Sequence, residues 1–403
     1  MKKYRWIRRI AKLLVVLIVI LVGAITILWW LTKPTPPDEF YVAPLNMPVT
    51  PGTIVRSEPF TRQVPSNARA WRVLYSTTKF DGTIAPASSI ILAPNSSSGS
   101  PMNVVAWAHG TTGVAPPCAP SVMAEPFANV PALEEALAAG WVVVATDYIG
   151  LGTAGPHPYL IGEGEARSTL DSIRALKQLN ELSVTDRTVV WGHSQGGHAA
   201  LWTGILAPIY APELKLDGIS SAAPATDLIE LERNSQDTPV GRILSSYIIT
   251  AYSSRFPEVD IDAYVRPFVS WLTRDMATRC MGGQEALFLA GQALLLRGSI
   301  FSTDPTSGTL GQRLQENRPD DPINVPVMIA QGEIDELISL DIQKSYVNER
   351  CRAGQALEFV TYPGRNHLSL VAKESPYSND LVEWTRARFE GKPTQSACIT
   401  TIR

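Results

Sequence analysis

The hydrophobic pattern divides the chain into two unlike parts. Leu13 to Leu31 is an unbroken run of 19 residues without a charge; as a helix it would span roughly 28 Å at about 1.5 Å per residue, enough to cross a bilayer. Beyond it come short β-rich runs at Ser88–Ala93, Val104–Ala108, Trp141–Thr146, Thr188–Trp191, Val325–Ala330 and Leu357–Thr361. They are mostly continuous rather than alternating, which predicts central strands covered on both faces. Helical patterns over Pro131–Ala139, Glu165–Leu182, Gly196–Leu206 and Asn379–Phe389 lie among them. Strands alternating with helices predict an α/β fold with a mainly parallel sheet.

That alternation lapses between about Leu228 and Gly308, where Arg242–Tyr252, Ile261–Thr273 and Gln284–Gly298 read as helices. Because the next strand returns to the same sheet, the stretch is expected to be an inserted helical cap rather than a second domain. Ala286–Leu296 is apolar nearly all round its helical period, which favours a buried helix over a surface that meets apolar substrate. No internal repeat is seen, and Asn95–Ser100 reads as a surface turn. The expected divisions are a basic tail and signal-anchor helix (1–33), a linker (34–50), the first part of the core (51–227), the cap (228–310) and the second part of the core (311–403).

Charge sharpens the first division. The 403 residues carry 35 basic and 38 acidic side chains, for a net charge of −3, but seven of the basic ones lie in residues 1–33, where there is no acid. The remainder therefore holds 28 basic against 38 acidic groups, which leaves no surplus to neutralise nucleic-acid phosphates. With 45% apolar and 18% charged residues, general disorder is excluded. Six basic residues precede the apolar run, and Trp29 and Trp30 close it. The N-terminus is thus expected in the cytoplasm and the rest outside it, in a single-pass cell-membrane protein. A cleaved signal peptide followed by secretion is the alternative, but the run is long for one and ends without small residues. Lys33-Pro34-Thr35-Pro36-Pro37 reads as a stiff spacer. Cys118, Cys280, Cys351 and Cys398 form an even set in this exported part, so disulfides are expected in one of three pairings. Their spacing fits neither zinc nor a redox pair.

The chemistry centres on Gly192-His193-Ser194-Gln195-Gly196, a G-x-S-x-G between a strand run and a helical run. Small residues on both sides allow a tight turn that presents the Ser194 hydroxyl as a nucleophile at the start of a helix. Such a serine needs a base oriented by an acid, in the chain order Ser, acid, His. Of the five histidines only His367 lies well downstream, in the loop after Leu357–Thr361. For the acid, Asp335 follows the strand Val325–Ala330; Glu333 is the runner-up, and Asp341 is assigned to the next helix. The backbone N–H of Gln195 would face the developing oxyanion, with a second donor from Thr111, or alternatively Thr112, in Ala108-His109-Gly110-Thr111-Thr112-Gly113. Gly150-Leu151-Gly152-Thr153-Ala154-Gly155 matches a dinucleotide fingerprint, but Pro156-His157-Pro158 breaks the helix that such a site requires. It reads instead as a tight loop at the mouth of the site. Neither metal nor cofactor is implied.

Taken together, Ala108–Gly113, Asp147-Tyr148-Ile149-Gly150-Leu151-Gly152, Gly192–Gly197, Gly332-Glu333-Ile334-Asp335 and Asn366-His367 resemble the secretory lipase family of the α/β-hydrolase superfamily across most of residues 50–390. The resemblance implies hydrolysis of acylglycerols or other carboxylic esters, a helical lid in the cap region, and the triad Ser194, Asp335 and His367. It also implies the pairings Cys118–Cys280 and Cys351–Cys398. Substrate contacts are expected at His109, Gly110 and Tyr148. The tethered N-terminus departs from the family, whose members are usually secreted. Two rival functions are an acyltransferase or peptidase on the same triad and a non-catalytic binding module, which would be expected to lack a triad member.

Overall fold

The computed structural model describes residues 2–95, 99–283, 285–394 and 397–403, with only the backbone of Lys2, Lys3 and Arg5. The middle of the Asn95–Ser100 turn and Gln284 therefore lie outside the described residues. Among the described residues, helix α1 (Lys2–Leu31) precedes ten strands that form one sheet: β1 (Ile54–Phe60), β2 (Ala68–Thr78), β3 (Ile84–Pro94), β4 (Met102–Ala108), β5 (Val142–Thr146), β6 (Val184–His193), β7 (Lys215–Ala222), β8 (Val327–Gly332), β9 (Leu357–Tyr362) and β10 (Ile399–Ile402). Their spatial order is β1-β2-β3-β5-β4-β6-β7-β8-β9-β10. The pairs β1–β2, β2–β3 and β3–β5 are antiparallel, and every pair from β5 onward is parallel.

Helices cover both faces, so the parallel strands are buried on each side, as their continuous apolar runs require. One face packs α3 (Gly162–Leu176), α4 (Gln195–Tyr210) and α11 (Leu340–Arg352) through Leu170, Ile173, Leu201, Ile205 and Tyr346. The other packs α2 (Leu133–Ala138) and α12 (Pro376–Phe389) through Leu133, Leu137, Leu381 and Val382. There the Trp191 indole of β6 donates to Thr385 Oγ1 at 2.9 Å, satisfying its one donor in the core.

The strands absent from the sequence reading are rich in polar residues whose hydroxyls find partners only in the assembled fold. Thr77 of β2 donates to Asp171 of α3 at 2.6 Å. Ser220 of β7 meets the Tyr377 hydroxyl at 3.1 Å, and Ser221 donates to the Gly197 carbonyl at 2.9 Å.

Among the described residues, six α-helices lie between β7 and β8: α5 (Leu228–Ser235), α6 (Pro239–Arg255), α7 (Ile261–Tyr264), α8 (Ser270–Met276), α9 (Glu285–Leu295) and α10 (Gly308–Glu316). They share an apolar cluster that includes Tyr247, Ile248, Met276, Leu289 and Leu310 and that also takes in Tyr159, Leu160, Ile161 and Ile338 from the core beneath. Three expectations change here. The single helix over Ile261–Thr273 is broken, because Pro267 has no N–H to continue it and Arg266 before it is extended. Residue 310 falls inside α10, whose Leu310 and Leu314 are buried in the cap cluster, so the packing unit runs past that boundary. Finally, α9 is not buried all round: Leu289, Gln292 and Ala293 face inward, while Leu287, Leu294 and Leu295 are exposed.

Candidate active site

The turn between β6 and α4 holds Ser194 at φ 56° and ψ −119°, a left-handed backbone that an ordinary serine avoids. The glycines around it are required by close approach. A Cβ on Gly192 would overlap the Gly196 carbonyl oxygen, and one on Gly196 would overlap that of Ala108. The serine N–H donates to the Ala222 carbonyl of β7 at 2.9 Å, which ties the strained turn to the neighbouring strand.

Two loops at the same end of the sheet complete the arrangement. His367, beyond β9, places Nε2 2.9 Å from Ser194 Oγ and Nδ1 2.8 Å from Asp335 Oδ2. Asp335, beyond β8, has its side chain buried. Its Oδ1 accepts from the N–H groups of Leu337 and Ile338 at 2.9 and 2.8 Å, and Oδ2 also accepts from Gln331 Nε2 at 3.1 Å. Together these donors fix the orientation of the carboxylate against the imidazole. Glu333 points elsewhere, accepting from Thr361 Oγ1 at 3.3 Å.

Gly110 and Thr111 line a cavity of about 430 Å³ with Ser194 and His367, roofed by cap residues including Leu244 and Met281. Its wall also includes Thr238 and Leu337, which no motif announces because they come from the cap and from the turn after Asp335. His109 and Tyr148 do not line it. His109 is buried behind the loop with Nδ1 2.6 Å from the Gly110 carbonyl, and burial pushes its imidazole down to about 4. Tyr148, fully buried, donates to the His109 carbonyl at 3.2 Å. The glycine-rich Gly150–Gly155 loop is likewise absent from the cavity wall: Gly152 N–H donates to the Pro116 carbonyl at 2.7 Å, and the next helix opens only at Gly162.

A polar network behind the nucleophile was not apparent from sequence. Gln195 Nε2 donates to buried Glu165 Oε1 at 2.7 Å and lies 3.0 Å from His157 Nε2, and the Leu160 N–H donates to the same carboxylate oxygen at 3.0 Å. Disulfides join Cys118 to Cys280 and Cys351 to Cys398. The first links the cap to the segment after Gly113, and Met281 N–H donates to the Thr112 carbonyl at 2.8 Å. Among the described residues no group of three His, Cys, Asp or Glu is placed to hold a metal.

This sheet, with a serine on a strained strand–helix turn, defines an α/β-hydrolase. The fold is shared with Candida antarctica lipase A in its closed state (TM-score 0.74, 20% identity, 91% of this chain and 89% of that one). It is shared too with the rice cell wall degrading esterase LipA from Xanthomonas oryzae (TM-score 0.68, 19% identity, 85% and 100%). Residues 127–397 match the family model described as secretory lipase. The chain is similar to Lipase 6 of Candida albicans, 25% identical over 92% of this chain and 85% of that protein. It is also similar to the secreted triacylglycerol lipase LIP4 of Malassezia globosa, 27% identical over 86% and 79%. The chain belongs to the secretory lipase family and is a carboxylic-ester hydrolase.

Proposed function

We propose that the protein hydrolyses acylglycerols or related acyl esters through an acyl-enzyme on Ser194. His367 takes the serine proton and returns it to the departing alcohol, Asp335 orients the imidazole, and the N–H groups of Gln195 and Thr111 hold the oxyanion. Water then attacks the acyl carbonyl with the same histidine as base, releasing the acid. The observation that carries this reading is the Asp335–His367–Ser194 chain of contacts at 2.8 and 2.9 Å. The mostly apolar cavity beside it supports an acyl substrate.

Turnover of p-nitrophenyl esters across acyl lengths, by the full chain in detergent and by its Ser194→Ala variant, tests the assignment. Equal rates for the two proteins would sink it.

The proposed placement is an uncleaved single-pass anchor, N-terminus cytoplasmic and catalytic part outside, in keeping with relatives named as secreted. Trp6–Leu31 has a mean hydropathy of 3.0 in its most apolar window and is unburied. A reporter fused at the C-terminus that works only in the cytoplasm should stay silent, and signal from it would overturn this orientation.

A further inference from the structure

Helix α1 ends against the cap. In its last turn the Trp29 indole Nε1–H donates to Asp275 Oδ1 of α8 at 2.7 Å. Just past the helix, the Thr32 carbonyl accepts from Arg279 Nη1 at 3.0 Å. The Arg279 side chain is only 1% exposed and is paired with Asp275 Oδ2 at 2.8 Å; Gln292 of α9 donates to the same oxygen. Residues 29–32 thus complete a polar cluster on the cap and supply a further acceptor to a buried guanidinium already paired with Asp275. Lys33 closes the segment with its ammonium 3.9 Å from the centre of the Trp29 ring.

This contact fixes what lies next to the membrane. Tryptophan and lysine at the end of a spanning helix sit at headgroup level, so helices packed against them lie at the bilayer surface. Those helices, with the turn just before α8, carry an unusual set of exposed apolar side chains: Phe268 (93%) in the turn, Trp271 (68%) on α8, and Leu287 (82%), Leu294 (67%) and Leu295 (82%) on α9. Trp271 is one turn from Asp275 on α8, and Leu295 is one turn from Gln292 on α9. The patch therefore adjoins the anchor contact on both helices. The same segment reaches the site, since Met281, two residues after Arg279, lines the cavity and bonds to Thr112.

We propose that the α8–α9 face of the cap is a membrane-docking surface. Its occupant is the outer leaflet of the bilayer that α1 spans, against which Trp29 and Thr32 hold the cap so that the cavity rim at Met281 meets lipid. The apolar patch and the tether then act on one surface, and the anchor supplies the local concentration that an amphipathic face alone would need to achieve by affinity. The proposal rests on the reading of α1 as a retained anchor.

The test uses full-length protein reconstituted in phosphatidylcholine–phosphatidylglycerol vesicles and carrying an environment-sensitive NBD label at Leu294→Cys; the four native cysteines are paired. The control is Ile209→Cys, also on an exposed residue but near the end of α4, a helix of the core and not of the cap. The label at 294 should emit to the blue and be quenched by a headgroup-level nitroxide lipid, whereas the label at 209 should behave as in water. Intact mass of the extracted protein checks the anchor separately. A mass lacking the N-terminus overturns the anchor and the docking with it, while a retained N-terminus with a water-like label at 294 overturns the docking alone. A second variant, Leu287→Ser with Leu294→Ser, should lose at least about fivefold of its turnover of a long-chain ester in vesicles and keep its turnover of dissolved p-nitrophenyl butyrate within about twofold. Equal effects on both substrates would count against a docking role.

Discussion

The imidazole of His193 donates from Nε2 to the main-chain carbonyl of His367 at 2.9 Å, so the residue before the nucleophile holds the loop that carries its proposed base. Burial, with the nearby His367 ring adding to it, pushes the His193 imidazole down to about 3. It is therefore a neutral strut. His193→Ala should lower kcat by about 10- to 100-fold with a smaller effect on KM, because its bond holds the loop of the base, although its ring also lines the cavity. Steady-state kinetics on a p-nitrophenyl ester check this; a rise in KM at unchanged kcat would place His193 in substrate binding instead.

The two carboxylates after β8 should behave very differently. Asp335→Asn keeps the shape of the side chain but removes the charge that fixes the imidazole tautomer, and kcat should fall about 10³- to 10⁴-fold. Glu333→Gln changes only the weak contact with Thr361 and should leave kcat within about twofold. A reversal of these two losses would transfer the acid to Glu333.

Gly196→Ala should cost several kcal/mol, because the new Cβ would overlap the Ala108 carbonyl oxygen; Ala108 is paired with Gly192 in the sheet and Gly196 lies in the first turn of α4, so neither can retreat without disturbing its own element. Thermal unfolding measures it. A melting temperature within about two degrees of the native protein would mean that the turn yields more easily than its packing implies.

Glu232 of α5 is buried in the cap with the Ser245 hydroxyl donating at 2.8 Å. Burial pushes its carboxyl up to about 7 from 4.5, the hydroxyl offsetting part of that rise. Over this window the folded state holds a proton that the unfolded chain has released. The stability linked to this group is therefore complete below pH 4.5 and is lost as pH rises through 7. Glu232→Gln cannot ionise, so its stability relative to the native protein should climb across that window, by up to about 3 kcal/mol at ~1.36 kcal/mol per pH unit. Denaturation at pH 5 and pH 8 reads the change, and a difference that does not vary with pH would contradict it.

Much of the site was legible because its demands are local. The Ser194 turn needs small residues at fixed offsets, and the loops bearing Asp335 and His367 each follow an apolar strand run. β2 and β7 were less legible, since Thr77, Ser220 and Ser221 look unsuited to a core until Asp171, Tyr377 and the Gly197 carbonyl are brought to them. His109 and Tyr148 sit in a motif yet face away from the cavity, because chain proximity to a loop does not say which way a side chain turns. α9 misled for a related reason: an all-round apolar helix predicts burial only if neighbours exist to cover every side.

By itself the sequence determined the alternating α/β core, the helical insertion, the apolar N-terminal helix and the residue types able to form a Ser-His-Asp relay, each a matter of periodicity or short spacing. Only the tertiary structure decided that Asp335 and His367 meet Ser194 within hydrogen-bonding distance, that Glu165 braces Gln195, that cap side chains roof the cavity, and that Trp29 lies against Asp275. These are contacts between segments far apart in the chain, 246 residues in the last case. They depend on strand order and helix packing, which are set by the joint burial of many side chains rather than by any local pattern.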